Sequence, residues 1–132
     1  MPDVTLDCQP LLMPETLKEK EDLLDLIQDK TAEQMNCWVP SADEGGYEYY
    51  EMDELEARVG IDVHLNVLEG RSAKKVLMVV EAYPYEDRLR NLKDRIANIA
   101  KAVADWFGID PDDVSITFRP VGFDCWTTGA GR

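Results

Sequence analysis

Five consecutive apolar residues, Val76-Leu77-Met78-Val79-Val80, constrain the fold of this chain more than any other stretch. A strand sends successive side chains to opposite faces, so this run is apolar on both. It belongs at the centre of a sheet, with helices on one side and another surface, such as a second subunit, on the other. Before it, Ile61, Val63, Leu65 and Val67 alternate with Asp62, His64 and Asn66, the pattern of a half-buried strand. Glu69-Gly70-Arg71-Ser72-Ala73 lies between the two and predicts a hairpin.

Helical periodicity flanks this pair. Pro14 suits a first turn, and Leu17, Leu24, Ile27, Thr31 and Met35, with Leu23 and Leu26 beside them, predict a helix over 14–36. Its other side carries Lys18, Glu19, Lys20, Asp22, Asp25 and Asp29, a solvated face. Leu89, Leu92, Ile96, Ile99, Val103 and Phe107 predict a second helix, closed by Gly108 as its C-cap.

Short strands complete the order. Val4 and Leu6 alternate with Thr5 and Asp7, with Pro2 at the mouth of the strand; Val114, Ile116 and Phe118 form the core face of the last strand and put Ser115, Thr117 and Arg119 on the other. The sequence strand, helix, strand, strand, helix, strand predicts an α+β fold of two βαβ halves, a four-stranded mixed sheet with both helices on one face and right-handed crossovers. At 132 residues, 1–132 reads as a single domain, a length that buries roughly two-thirds of the unfolded chain's surface.

Charge narrows the partners. Fourteen Lys and Arg against 27 Asp and Glu give a net charge of −13, which repels phosphate backbones and anionic lipid, so neither nucleic acid nor a membrane surface is expected. No apolar run approaches the ~18 residues of a membrane span and no signal-peptide pattern opens the chain, so a cytoplasmic protein is expected. Cys8, Cys37 and Cys125 are odd in number and widely spaced, which predicts free thiols rather than disulfides or a zinc site. His64 is the single histidine, so no metal cluster is expected, and the histidine reads as structural on its strand face. The aperiodic 37–55 segment, with Tyr47, Tyr49 and Tyr50, has three readings: a lid, a loop anchored by its tyrosines, or an edge strand.

The stretch from Leu89 onward is the most specific. An amphipathic helix is followed by Gly108-Ile109-Asp110-Pro111-Asp112-Asp113-Val114, a strand, and then Trp126-Thr127-Thr128-Gly129-Ala130-Gly131. With the two-half layout and Pro2 directly behind Met1, the chain resembles the tautomerase superfamily, the group of 4-oxalocrotonate tautomerase, malonate semialdehyde decarboxylase and macrophage migration inhibitory factor. The resemblance implies that Met1 is removed and Pro2 becomes an N-terminal catalytic proline. It also implies a small keto or enol acid as substrate, no cofactor, and a homotrimer with its sheets facing inward. Only a free secondary amine can do this chemistry; inside a chain, proline is an amide. An α-amino group titrates near ~8, and an apolar pocket lowers that value, so part of it is neutral at pH 7 and can move a proton next to a carbonyl.

A substrate carboxylate calls for a cation, and arginine offers two parallel hydrogen bonds. Here the chain departs from the family's pattern. Gln9-Pro10-Leu11-Leu12-Met13-Pro14 stands where Gly-Arg-Ser follows the first strand of 4-oxalocrotonate tautomerase, and Ser115 stands at the position of its later arginine. Arg119 lies on the same strand as Ser115 and has two readings, a guanidinium in the site or one reaching solvent. Trp126 matches the aromatic residue that lines the family's site, and otherwise packs in a subunit interface. Arg88 and Arg90 are second-line candidates, since helix-face arginines are mostly solvated. Gly70-Arg71-Ser72 imitates the motif in letters, but a strand follows it, and it reads as a hairpin turn. A non-catalytic ligand-binding or interaction protein on this scaffold and a ferredoxin-like regulatory domain are the alternatives; strand order separates the latter.

Overall fold

The computed structural model describes residues 2–35 and 60–131. Its elements are β1 (Asp3–Cys8), a 3₁₀ turn at Pro10–Leu12, α1 (Leu17–Gln34), β2 (Asp62–Val67), β3 (Val76–Ala82), a short α2 (Glu86–Leu89), α3 (Leu92–Phe107), a 3₁₀ turn at Pro111–Asp113 and β4 (Val114–Pro120). The lid reading of 37–55 and the thiol of Cys37 lie outside the described residues.

The sheet order is β2-β1-β3-β4. β1 and β2 are parallel, β3 and β4 are parallel, and β1 meets β3 antiparallel at the centre. Each half therefore pairs its own strands, which excludes the interleaved sheet of a ferredoxin-like domain.

The expected hairpin does not form, because β1 is inserted between β2 and β3. The connection over 68–75 straddles the end of β1: Leu68 N donates to Cys8 O at 2.7 Å and Gln9 N donates to Lys75 O at 3.0 Å. Strands lie ~4.8 Å apart, so stepping over one requires only ~10 Å. The short connection fits two strands that run in opposite directions, and alternation is silent about a third strand between them.

β3 is fully buried on one face only, and Leu77, Val79 and Glu81 on its other face stay partly exposed. Val76, Met78, Val80 and Ala82 are buried, as are Val4, Leu6 and Cys8 of β1. Leu23, Ile27 and Ala32 of α1 and Ile99, Ala100, Val103 and Ala104 of α3 close over them in one core. Each such large side chain contributes ~1.5–3 kcal/mol relative to exposure. The edge strands are more weakly covered, with Val63 and Leu65 of β2 and Ile116 and Phe118 of β4 packed against the core while still partly exposed. The other face carries Asp3, Thr5, Asp7, Asp62, His64, Asn66, Leu77, Val79, Glu81, Ser115, Thr117 and Arg119 by strand alternation.

Helix ends differ from the expected bounds for local reasons. α1 begins at Leu17 rather than Pro14, because Thr16 caps it: its hydroxyl accepts from Glu19 N at 3.1 Å, while the Glu19 carboxylate accepts from Glu15 N at 3.3 Å. This variant of the capping box satisfies two donors at once. Leu17 is 73% exposed, so the buried stripe starts later and runs Leu23, Ile27, Thr31, Met35. The second helix is not continuous. Asn91, at φ 54°, separates α2 from α3, and Leu89 is exposed; asparagine is among the few residues that tolerate this left-handed region. Gly108, at φ 70°, closes α3 as expected, its N–H directed to Ala104 O and Asp105 O.

Thr31 is fully buried in the α1 stripe, and its Oγ1 has no hydrogen-bond partner among the described residues. An enclosed hydroxyl without a partner costs ~1–3 kcal/mol, so Thr31→Val is expected to stabilise the fold by about 1 kcal/mol. A urea midpoint that rises with an unchanged slope is the check; a lower midpoint shows that the hydroxyl is satisfied.

Cys8 and Cys125 are free thiols, the first buried and the second exposed. Burial, and then the neighbouring charge of Asp7, push the Cys8 thiol up. It therefore stays protonated, with its Sγ 4.0 Å from Met13 Sδ.

Candidate active site

Strand directions bring one end of the sheet together. The start of β1 lies beside the start of β2, the end of β3 and the end of β4. Pro2 stands there, buried, with its carbonyl accepting from Asp62 N at 3.3 Å. Ile61 beside it is buried, its carbonyl held by Gln28 Nε2 at 3.0 Å.

The chain after β4 turns back over the same end, where Val121 N donates to Ala82 O at 2.9 Å. Tyr83 directs its hydroxyl to Trp126 O at 3.4 Å. Tyr83, Tyr85 and Phe123 form an aromatic cluster with ring centroids 5.4 to 5.9 Å apart. Trp126 itself is 39% exposed. Pro2, Arg119 and Trp126 thus occupy the same end of the sheet.

Arg119 lies on the face opposite the core, and its Nη1 is 3.6 Å from Glu81 Oε1. Register places Asp62, Asp3, Glu81 and Arg119 side by side across all four strands. His64 Nε2 lies 3.1 Å from Asp3 Oδ1. That oxygen is enclosed without an aligned hydrogen bond, so the pair is an ionic contact when the imidazole is charged. Three carboxylates against one arginine leave this row acidic, and a substrate carboxylate approaching it meets repulsion unless a cation intervenes. Among the described residues, no cluster of His, Cys, Asp and Glu is arranged to hold a metal ion.

Arg88 is the site-end residue whose burial the sequence reading missed. It is 6% exposed rather than solvated. Its Nε donates to Met35 O at 3.0 Å and its Nη1 to Tyr83 O at 3.2 Å, and its guanidinium carbon lies 5.0 Å from the Tyr85 ring centroid. Arg95 works beside it, donating from Nη1 to Gln34 O at 2.9 Å. Together these cations satisfy carbonyls at the C-terminal end of α1, where the helix dipole favours positive charge. The flanking Tyr83-Pro84-Tyr85, which offers rings for a guanidinium to lie against, is the signal that marks Arg88 in the sequence. Arg90 is exposed, and its carbonyl accepts from Arg95 Nε at 2.7 Å.

The sheet order, the paired halves and the helices on one face make an α+β fold of tautomerase-like architecture. A fused 4-OT solved as a symmetric trimer superposes with a TM-score of 0.67 at 15% identity, covering 98% of this chain and 94% of that one. N1, a member of the cis-3-chloroacrylic acid dehalogenase family, gives 0.63 at 14% identity over 98% and 81%. Pt0534, solved after inactivation by 2-oxo-3-pentynoate, gives 0.64 at 14% identity over 98% and 93%. No protein-family model and no curated protein sequence matches the chain.

Proposed function

We propose that this chain is a tautomerase-like enzyme in which Pro2, freed by removal of Met1, acts as general base or acid on a small keto or enol carboxylic acid. The observation that carries this reading is the position of Pro2. It is buried at the end of the sheet where Arg119, Trp126 and the Tyr83, Tyr85 and Phe123 rings also gather. A neutral amine there takes the enol proton of the substrate while carbon receives a proton, and ketonization results. A charged amine instead donates its proton to a hydrated or unsaturated acid. Arg119 and Trp126 are the proposed substrate contacts, the first reaching a carboxylate by leaving Glu81, the second walling the site. We further propose a homotrimer, the state in which the fused 4-OT was solved, working in the cytoplasm without a cofactor. No described helix is long and apolar enough to cross a membrane.

The acidic row Asp62, Asp3, Glu81 favours a second reading, a binding protein that keeps the scaffold without the reaction. Intact mass separates the two at the first step: a mature chain that retains Met1 has no free proline amine, and the mechanism fails. The next measurement is phenylenolpyruvate ketonization, with 2-oxo-3-pentynoate as a covalent probe of the N-terminus. Turnover together with a single adduct on Pro2 supports the enzyme; neither supports the binder.

A further inference from the structure

We propose that Arg88 is a positioning residue for the Pro2 site, a buried guanidinium that fixes the aromatic wall of Tyr83, Tyr85, Phe123 and Trp126 where the uncharged part of a substrate rests. That the wall serves catalysis rests on the Pro2 reading above; that Arg88 fixes the wall does not.

Strand register sets the wall beside Pro2. Asp3 lies opposite Glu81, and one step further along this antiparallel pair Pro2 comes level with Ala82, the residue before Tyr83. Phe123 and Trp126 arrive on the tail that follows β4, outside the sheet. Beyond the bond from Val121 N to Ala82 O, ladder bonds do not set their place. Tyr83 and Tyr85 do, through their rings on Phe123 and through the Tyr83 hydroxyl on Trp126 O. Phe123 and Trp126 are both exposed, so aromatic surface is open to a ligand at this end of the sheet.

Tyr83 and Tyr85 themselves lie between β3 and the four-residue α2, in neither element. One guanidinium holds them. Arg88 Nη1 fixes the Tyr83 carbonyl, its central carbon lies 5.0 Å from the Tyr85 ring centroid, and Nε anchors the group to Met35 O at the end of α1. Arginine suits this place because a planar fork can serve two carbonyls while its face meets a ring, which the point charge of lysine does less well. Enclosing the charge carries a desolvation cost that an apolar side chain of the same length would avoid. Such a side chain would fill the space but would leave the Tyr83 carbonyl unheld. Because Arg88 is buried with these donors turned to carbonyls, it acts on a substrate through Tyr83 and Tyr85.

Two monoanionic enols, phenylenolpyruvate and the ringless 2-hydroxypenta-2,4-dienoate, test this role. In Arg88→Met, similar in length but without donors, the ratio of kcat/KM for the first over the second is expected to fall about fivefold or more. The fall should come through KM, with kcat for both little changed, and Arg88→Lys should restore part of the ratio. Arg95→Met is the control, since Arg95 also holds the end of α1 but through Gln34 O and Arg90 O rather than through a tyrosine. It should lower the thermal midpoint and keep the wild-type ratio. An unchanged ratio in Arg88→Met, or an equal fall in Arg95→Met, overturns the positioning role. If Arg88→Met does not fold, Arg88→Lys decides: a ratio below wild type supports the role and the wild-type ratio overturns it.

A wild type that ketonizes neither enol overturns the Pro2 reading, and binding alone then decides Arg88. The probe is 3-phenylpropanoate, which has no enol, titrated by calorimetry beside propanoate. Wild type should bind the phenyl acid about tenfold more tightly or better, and Arg88→Met should lose most of that margin. No margin in wild type, or an undiminished one in Arg88→Met, overturns the proposal.

Discussion

Pro2→Ala is expected to lower kcat for phenylenolpyruvate ketonization by ~10²- to 10⁴-fold, the usual contribution of a positioned general base or acid. The substitution removes the ring and the secondary amine but leaves the backbone intact. The hydrogen bond from Asp62 N to the residue-2 carbonyl depends on backbone alone, so the start of β1 stays paired. KM should change little, because the proposed carboxylate contacts lie on other side chains. The same variant should lose the 2-oxo-3-pentynoate adduct at the N-terminus or form it much more slowly. A variant that turns over at the wild-type rate removes Pro2 from the mechanism, whatever the fold.

Leu6→Ala is expected to destabilise the chain by ~2–5 kcal/mol, the range for emptying a fully buried leucine site. Leu6 is completely buried at the middle of β1, opposite Leu65 on one side and Met78 on the other. The lost side chain would leave a cavity between two strands and the helix layer, where neighbours on both sides are held by ladder bonds and cannot collapse inward. Against a typical total of ~5–15 kcal/mol, such a loss is a large fraction. Leu65→Ala, on the edge strand and already part exposed, should cost less than half as much. Urea midpoints measured at one fixed protein concentration decide this, since any association would add a concentration-dependent term. Equal losses at the two positions would show that β2 is as well enclosed as β1.

Those contrasts reflect which parts of the molecule periodicity can report. The double-sided run Val76 to Val80 placed β3 at the centre, and the alternation around Val114 placed Arg119 opposite the core; both are local properties of a strand. The hairpin failed because pairing is not local: β2 and β3 have the directions of a hairpin, and only β1, distant in sequence, decides that they do not touch. Leu17 and Leu89 failed for a related reason. Each matches helical spacing, but Thr16 and Asn91 set where the helices begin and break, and this leaves both leucines outside the buried face. Arg88 was hidden because a charged helix residue looks solvated until the partners that satisfy it, Met35 O and Tyr83 O, are seen to be in reach.

The antiparallel meeting of β1 and β3 relates the two halves by an approximate half-turn. The first half begins at one end of the sheet and the second begins at the other, near Lys75 and Val76. Any chemistry that requires a chain terminus is thereby confined to one of two otherwise equivalent ends. The second half begins inside the chain, where the backbone nitrogen of Val76 is an amide, so the two ends of the sheet differ in kind although the strands match in direction.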